Sequence, residues 1–178
     1  MMKYVYKDMA SMVKYLPWGL ITGIPLGVLV AGILARVGRG KKTESSSAPI
    51  VAFCIYAAVM MSITFLSREN GSRAGIDLEL FSTWGINDRN NAYVVENVLL
   101  FIPYGFLCCW AFLGVRGFFR CTMVGALTSM GIESLQLATG RGVFQIDDIL
   151  TNILGTIIGY FLFRFLRWVK KGSSGGKV

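Results

Sequence analysis

The sequence predicts an all-α fold: a polytopic integral membrane bundle of about five transmembrane helices. Three observations carry that prediction. The 178 residues are 54% hydrophobic and only 16% charged, where a soluble domain averages about 25% charged residues. A chain this short has too much surface for its volume to hide so much apolar sequence from water. The charged residues are also absent from long stretches, each of a length that matches the ~30 Å hydrocarbon layer.

Taken in order, the uncharged runs are 15–35, 45–67 and 97–115, followed by 121–140, interrupted only by Glu133, and the shorter 149–163. The last run is extended by Arg164, Arg167 and Trp168, side chains that reach headgroups from a buried stem. The first run is too long for a cleavable signal and has no small-residue cleavage site. Within it Gly19, Gly23, Gly27, Ala31 and Ala35 recur every fourth residue, a stripe that lets another helix approach closely. Gly155 and Gly159 repeat the device in the fifth. Packing within the bundle is favoured over homodimerisation.

Ahead of the spans, Met2, Val5, Met9, Met12 and Leu16 follow three–four spacing, as in a short helix lying on a membrane surface. The expected organisation is therefore an amphipathic segment at 1–15, one membrane domain at 16–168 and a flexible Gly/Ser-rich tail at 169–178.

Orientation follows from the connecting segments. With five spans the alternating sets hold eleven against seven Lys and Arg, so the richer set faces the cytoplasm. The C-terminus is then cytoplasmic and segments 68–96 and 141–148 external, in a bacterial cytoplasmic membrane. An alternative makes the Pro17/Pro25 segment re-entrant and raises the tally to fourteen against four. Setting orientation and touching anionic lipid explain the +8 net charge. No water-soluble basic module is present for nucleic acid.

Chemistry is narrowed further by the absence of histidine. Serine–histidine triads, histidine-ligated zinc and histidine relays are excluded. Cys54, Cys108, Cys109 and Cys121 lack four-thiolate zinc spacing and read as small packing residues. No cofactor is expected and no spacing specifies a metal, although oxygen-rich clusters can hold Mg²⁺ or Ca²⁺.

Polar groups inside lipid are costly and usually face a cavity or one another. They gather in the second half: Glu96 and Asn97 at the third run, Glu133 and Gln136 in the fourth, Arg141 in the next loop. Asp147 and Asp148 open the fifth, with Asn152 one turn on. The pair Glu133/Gln136 shares one helix face, as does Asp148/Asn152. Asp147 or Asp148 is placed to cap the helix amides. At 1.5 Å per residue, Glu133 lies roughly 10 Å and Asn152 about 6 Å below the external boundary. The polar groups therefore converge on the outer leaflet. Two readings stay open: a buried structural network in which Arg141 neutralises carboxylates and pins the loop, or an outward-facing site for a polar headgroup. Pro103 kinks the third helix, either for packing or to shape a pocket wall below Asn97.

The order Asn97-x-x-x-Phe101-x-Pro103-x-Gly105, then Glu133-x-x-Gln136, Arg141, and Asp148-x-x-x-Asn152-x-x-Gly155 closely resembles the VanZ-like family of bacterial membrane proteins over about residues 68–163. The resemblance implies a multi-pass membrane protein, an accessory determinant that lowers susceptibility to teicoplanin or other lipid-bearing glycopeptides. The expected ligand residues are Asn97, Glu133, Gln136, Arg141, Asp147, Asp148 and Asn152, with Pro103, Gly105, Gly155 and Gly159 shaping the motif. The expected partners are membrane lipids, a lipoglycopeptide or a lipid-linked peptidoglycan precursor. A first alternative is an enzyme modifying a cell-wall lipid, with Glu133 or Asp148 as general base. A second is a small transporter, which the absence of an inverted repeat of the spans disfavours.

Overall fold

In a computed structural model, residues 1–37, 47–66, 71 and 73–174 are described. The helices are α1 (Met2–Met12), α2 (Leu16–Val37), α3 (Ser47–Leu66), α4 (Asp88–Ala111), α5 (Phe118–Ala138) and α6 (Ile146–Ser174). A 3₁₀ turn at Val13–Tyr15 joins the first two. Met2–Val37, Ser47–Phe65, Asp88–Ala111 and Ile146–Gly172 are long and apolar enough to cross a membrane. The fifth long helix, α5, carries Arg120, Glu133, Gln136 and several hydroxyls, and falls below that measure.

The all-α expectation gains one addition. Strand β1 (Arg73–Asp77) pairs in parallel with β2 (Arg141–Gln145), Asp77 opposite Gln145. This short ladder ties together the two long loops at one end of the bundle. Gly140, with φ +63°, supplies the left-handed turn that stops α5 and admits β2.

Helix bounds exceed the uncharged runs wherever polar residues continue a helix past its apolar part. Helix α4 starts nine residues before Asn97, because Asn87 caps it by accepting from the Arg89 and Asn90 amides at 3.0 and 2.9 Å. Asn97 thus lies ~14 Å along the helix rather than at its mouth. Helix α6 continues to Ser174, through the first residues of the expected tail; residues 175–178 lie outside the described residues, as do Arg39, Lys41 and Lys42 of the basic cluster.

Each long helix runs against the one before it. In the α2–α3 seam a Cβ on Gly19, Gly23 or Gly27 would come within 2.0, 2.4 or 2.7 Å of Val59, Ile55 or Val51. The glycine stripe is therefore an internal seam with α3. Helix α2 passes through Pro17, in its first turn where an amide is dispensable, and through Pro25 without a break. Its outer face is bare: Ile21, Val28 and Leu29 are 65%, 60% and 59% exposed. Water would not tolerate such a face; lipid does.

Helices α4 and α6 lie parallel and close. A Cβ on Gly105, Gly155 or Gly159 would stand 2.3, 2.4 or 2.1 Å from the carbonyl oxygen of Thr156, Val98 or Ile102. Two parallel neighbours require a return helix, and α5 supplies it. The central core is Tyr15, Met60, Phe101, Tyr104 and Ile132 with their neighbours. All four cysteines are buried and unbridged, Cys109 and Cys121 within a second cluster beside Tyr160 and Phe163.

Candidate functional site

The parallel arrangement sets the starts of α4 and α6 side by side, and antiparallel α3 and α5 end there. The last carbonyls of a helix have no partners within it. At the end of α3 two side chains supply them: Gln136 Nε2 donates to Thr64 O at 3.1 Å and Arg141 Nη1 to Phe65 O at 2.7 Å. A cation at that terminus also suits the helix dipole.

Asp147 does not cap its own helix. Its Oδ1 accepts from the Phe81 amide at 2.7 Å and its Oδ2 from the Thr83 amide at 3.0 Å. This buried clamp holds the loop between β1 and α4 where Phe81 takes a left-handed φ of +63°, a conformation disfavoured for an aromatic residue. Glu133 Oε2 accepts from the Gln145 amide at 3.1 Å, anchoring β2 to α5. Asn152 Nδ2 donates to Ser129 Oγ at 2.8 Å. Asn97 Nδ2 donates to Asp148 Oδ1 at 2.8 Å, linking α4 to α6 above the glycine seam. The helix faces expected from spacing are real, but their members reach different neighbours: Glu133 reaches β2 and Gln136 α3, Asp148 α4 and Asn152 α5.

A cavity of about 660 Å³ opens among these elements, a size typical of small-molecule sites. Asn97, Arg141 and Asp148 line it; Glu133, Gln136, Asp147 and Asn152 do not. Pro103 lies off the wall as well, within an α4 that continues unbroken to Ala111. The wall also contains residues that spacing did not single out as ligand contacts: Thr83 from the loop before α4, Gln145 from the end of β2, and Arg89, Tyr93 and Glu96 from α4. Asp8, Met12, Lys14 and Tyr15 of the N-terminal segment complete it.

Helix α1 is accordingly docked on the start of α4. Asp8 Oδ2 meets Arg89 Nη1 at 2.7 Å. The guanidinium also lies over the Tyr4 and Tyr93 rings, at 5.3 and 4.7 Å from their centroids, and donates from Nε to Tyr93 OH at 3.0 Å. The amphipathic pattern of residues 1–16 therefore forms one wall of a cavity: Val5 is buried and Met12 packs on the core. No local sequence signal pairs Asp8 with Arg89. Glu96 was visible as a charge beside the Asn97 motif.

In the same loop Asp77 accepts from the Glu79 amide at 3.0 Å and from the Ser82 hydroxyl at 2.8 Å. The Glu79 amide above all, then Ser82 and Gln145, hold its carboxyl below the usual carboxylate range.

Long helices with a bare apolar exterior and a polar cavity at one end define a polytopic helical membrane protein. The family model described as VanZ/LLP1 matches residues 53–167, more than half of the chain. The protein belongs to the VanZ/LLP1 family. No curated protein and no solved structure matches it.

Proposed function

We propose that this VanZ/LLP1 protein binds the polar headgroup of an amphiphile at the external end of its bundle and thereby lowers susceptibility to teicoplanin-like lipoglycopeptides. The observation that carries the reading is the cavity of about 660 Å³ at the polar end, with Asn97, Arg141 and Asp148 on its wall. Such a cavity accepts a headgroup while the acyl chains remain against the apolar helices. Arg141 offers positive charge to a phosphate or carboxylate, and Asn97 and Asp148 offer polar contacts. Glu133, Gln136, Asp147 and Asn152 act behind the wall, holding it in shape.

The test compares teicoplanin and vancomycin susceptibility in cells carrying wild type, Asp148→Ala or no protein, with membrane levels matched. Wild type is expected to protect against teicoplanin and not vancomycin, and Asp148→Ala to lose that protection. Equal protection by Asp148→Ala would sink the cavity's part in it.

A further inference from the structure

The cavity wall carries two buried polar atoms with no hydrogen-bond partner: Glu96 Oε1 and Thr83 Oγ1. Their residues are only 8% and 7% exposed. Burial without a partner is costly, most of all for a carboxylate oxygen. Thr83 spends its amide on Asp147 and keeps its hydroxyl uncommitted.

The neighbouring charges do not balance Glu96. Its carboxyl meets that of Asp8, and two carboxyls in contact require a proton or a cation between them. The nearby guanidinium of Arg89 is engaged by Asp8 and by Tyr93, and Arg141 donates to the end of α3. Four acids line the cavity, Asp8, Asp77, Glu96 and Asp148, against three bases, Lys14, Arg89 and Arg141. A proton shared with Asp8 serves one side of the Glu96 carboxyl, whereas Oε1 on the other side still lacks a donor. Among the described residues no group of three or more His, Cys, Asp or Glu side chains could hold a metal ion.

Resting on the headgroup-binding reading above, we infer that the ligand's headgroup carries an ammonium group, which donates to Glu96 Oε1, with the Thr83 hydroxyl accepting from or donating to the same headgroup. A zwitterionic phospholipid has that chemistry. Its phosphate finds Lys14 and Arg141 on the same wall, and its ammonium supplies the donor that Glu96 Oε1 lacks. The interaction is charge-assisted and shielded by α1 from bulk water, so it discriminates between lipids that differ only in that charge.

The experiment uses the full chain purified in detergent and native mass spectrometry of retained lipid. The probes are phosphatidylethanolamine, its N-acetyl derivative with the same phosphate and acyl chains, and phosphatidylglycerol. Wild type is expected to retain phosphatidylethanolamine about tenfold over the N-acetyl form. Glu96→Gln is expected to erase that preference while retaining phosphatidylglycerol at least as well as wild type does. Thr83→Val, a milder change, should narrow the preference severalfold. Equal retention of the two ethanolamine lipids by wild type, or an unchanged preference in Glu96→Gln, would overturn the ammonium assignment and leave headgroup binding standing. Retention of no lipid by wild type would overturn both. Should Glu96→Gln not fold, the wild-type contrast and Thr83→Val decide the matter.

Discussion

The bundle contains two glycine-lined seams, and they do different work. Between α2 and α3, antiparallel, Gly19, Gly23 and Gly27 close onto Val59, Ile55 and Val51. No acidic residue occurs in either helix, and the outer face of α2 is bare to lipid. Between α4 and α6, parallel, Gly105, Gly155 and Gly159 close onto backbone carbonyls. That seam is crowned by Asn97 and Asp148. The difference teaches why the polar chemistry sits where it does. An antiparallel pair sets one helix start beside one helix end, whereas a parallel pair sets its two starts at the same end of the bundle, where the connecting loops return. The return helix and the ladder of β1 with β2 then fill in around them.

The largest effect should come from breaking the second seam. A side chain at Gly159 has its Cβ 2.1 Å from the Ile102 carbonyl oxygen and 2.8 Å from the Phe106 amide nitrogen. Backbone cannot step aside as a flexible side chain does, so Gly159→Val is expected to abolish the folded state, read as loss of a monodisperse peak in detergent. Gly19→Val in the first seam meets a side chain first, Val59 Cγ2 at 2.0 Å, and overpacks at an expected cost of about 1–3 kcal/mol. It should lower the melting temperature and spare the Asn97–Asp148 end. Gly32→Ala, with nothing within 4 Å, is the neutral control. If Gly19→Val proved as damaging as Gly159→Val, the contrast between the seams would fail.

Both seams were legible in the sequence, because a small residue every fourth position has one physical use in a membrane helix. The convergence of polar groups at one end was legible too, from their positions along uncharged runs. Their partners were not. Gln136 and Arg141 satisfy the Thr64 and Phe65 carbonyls, and a backbone acceptor leaves no mark in the residue that carries it. The same holds for Asp147, whose partners are the amides of Phe81 and Thr83. The docking of α1 joins residues more than eighty positions apart through Asp8 and Arg89, and the regular apolar spacing of α1 fits a membrane surface as well as a cavity wall.

Asp147 gives the next effect in size. Removing its carboxylate leaves two amides unpaired, one of them on Thr83, which is 7% exposed. At ~1–3 kcal/mol for a buried orphan, Asp147→Ala should destabilise by about 1–3 kcal/mol. The loss should be concentrated in the loop: limited proteolysis between residues 78 and 87 accelerates, while α2 and α3 keep their hydrogen-exchange protection. Uniform loosening of all the helices would show that the loop and the seams form one cooperative unit.

The smallest effect is a pH dependence confined to one side of the comparison. The Asp77 carboxyl is held below its usual range first by the Glu79 amide, then by Ser82 and Gln145. A depressed folded value means that its contribution is present above the unfolded carboxylate range, roughly pH 4, and is lost as pH falls through the lowered folded value. Acid should therefore reduce the exchange protection factor of the Glu79 amide and loosen the turn at Ser82. Helices α2 and α3 have no carboxylate to titrate, so their seam should hold its protection over the same interval. Asp77→Asn removes the titrating group, and with it the acid dependence at Glu79. A dependence that survived Asp77→Asn would place its origin in another carboxyl of the cavity end.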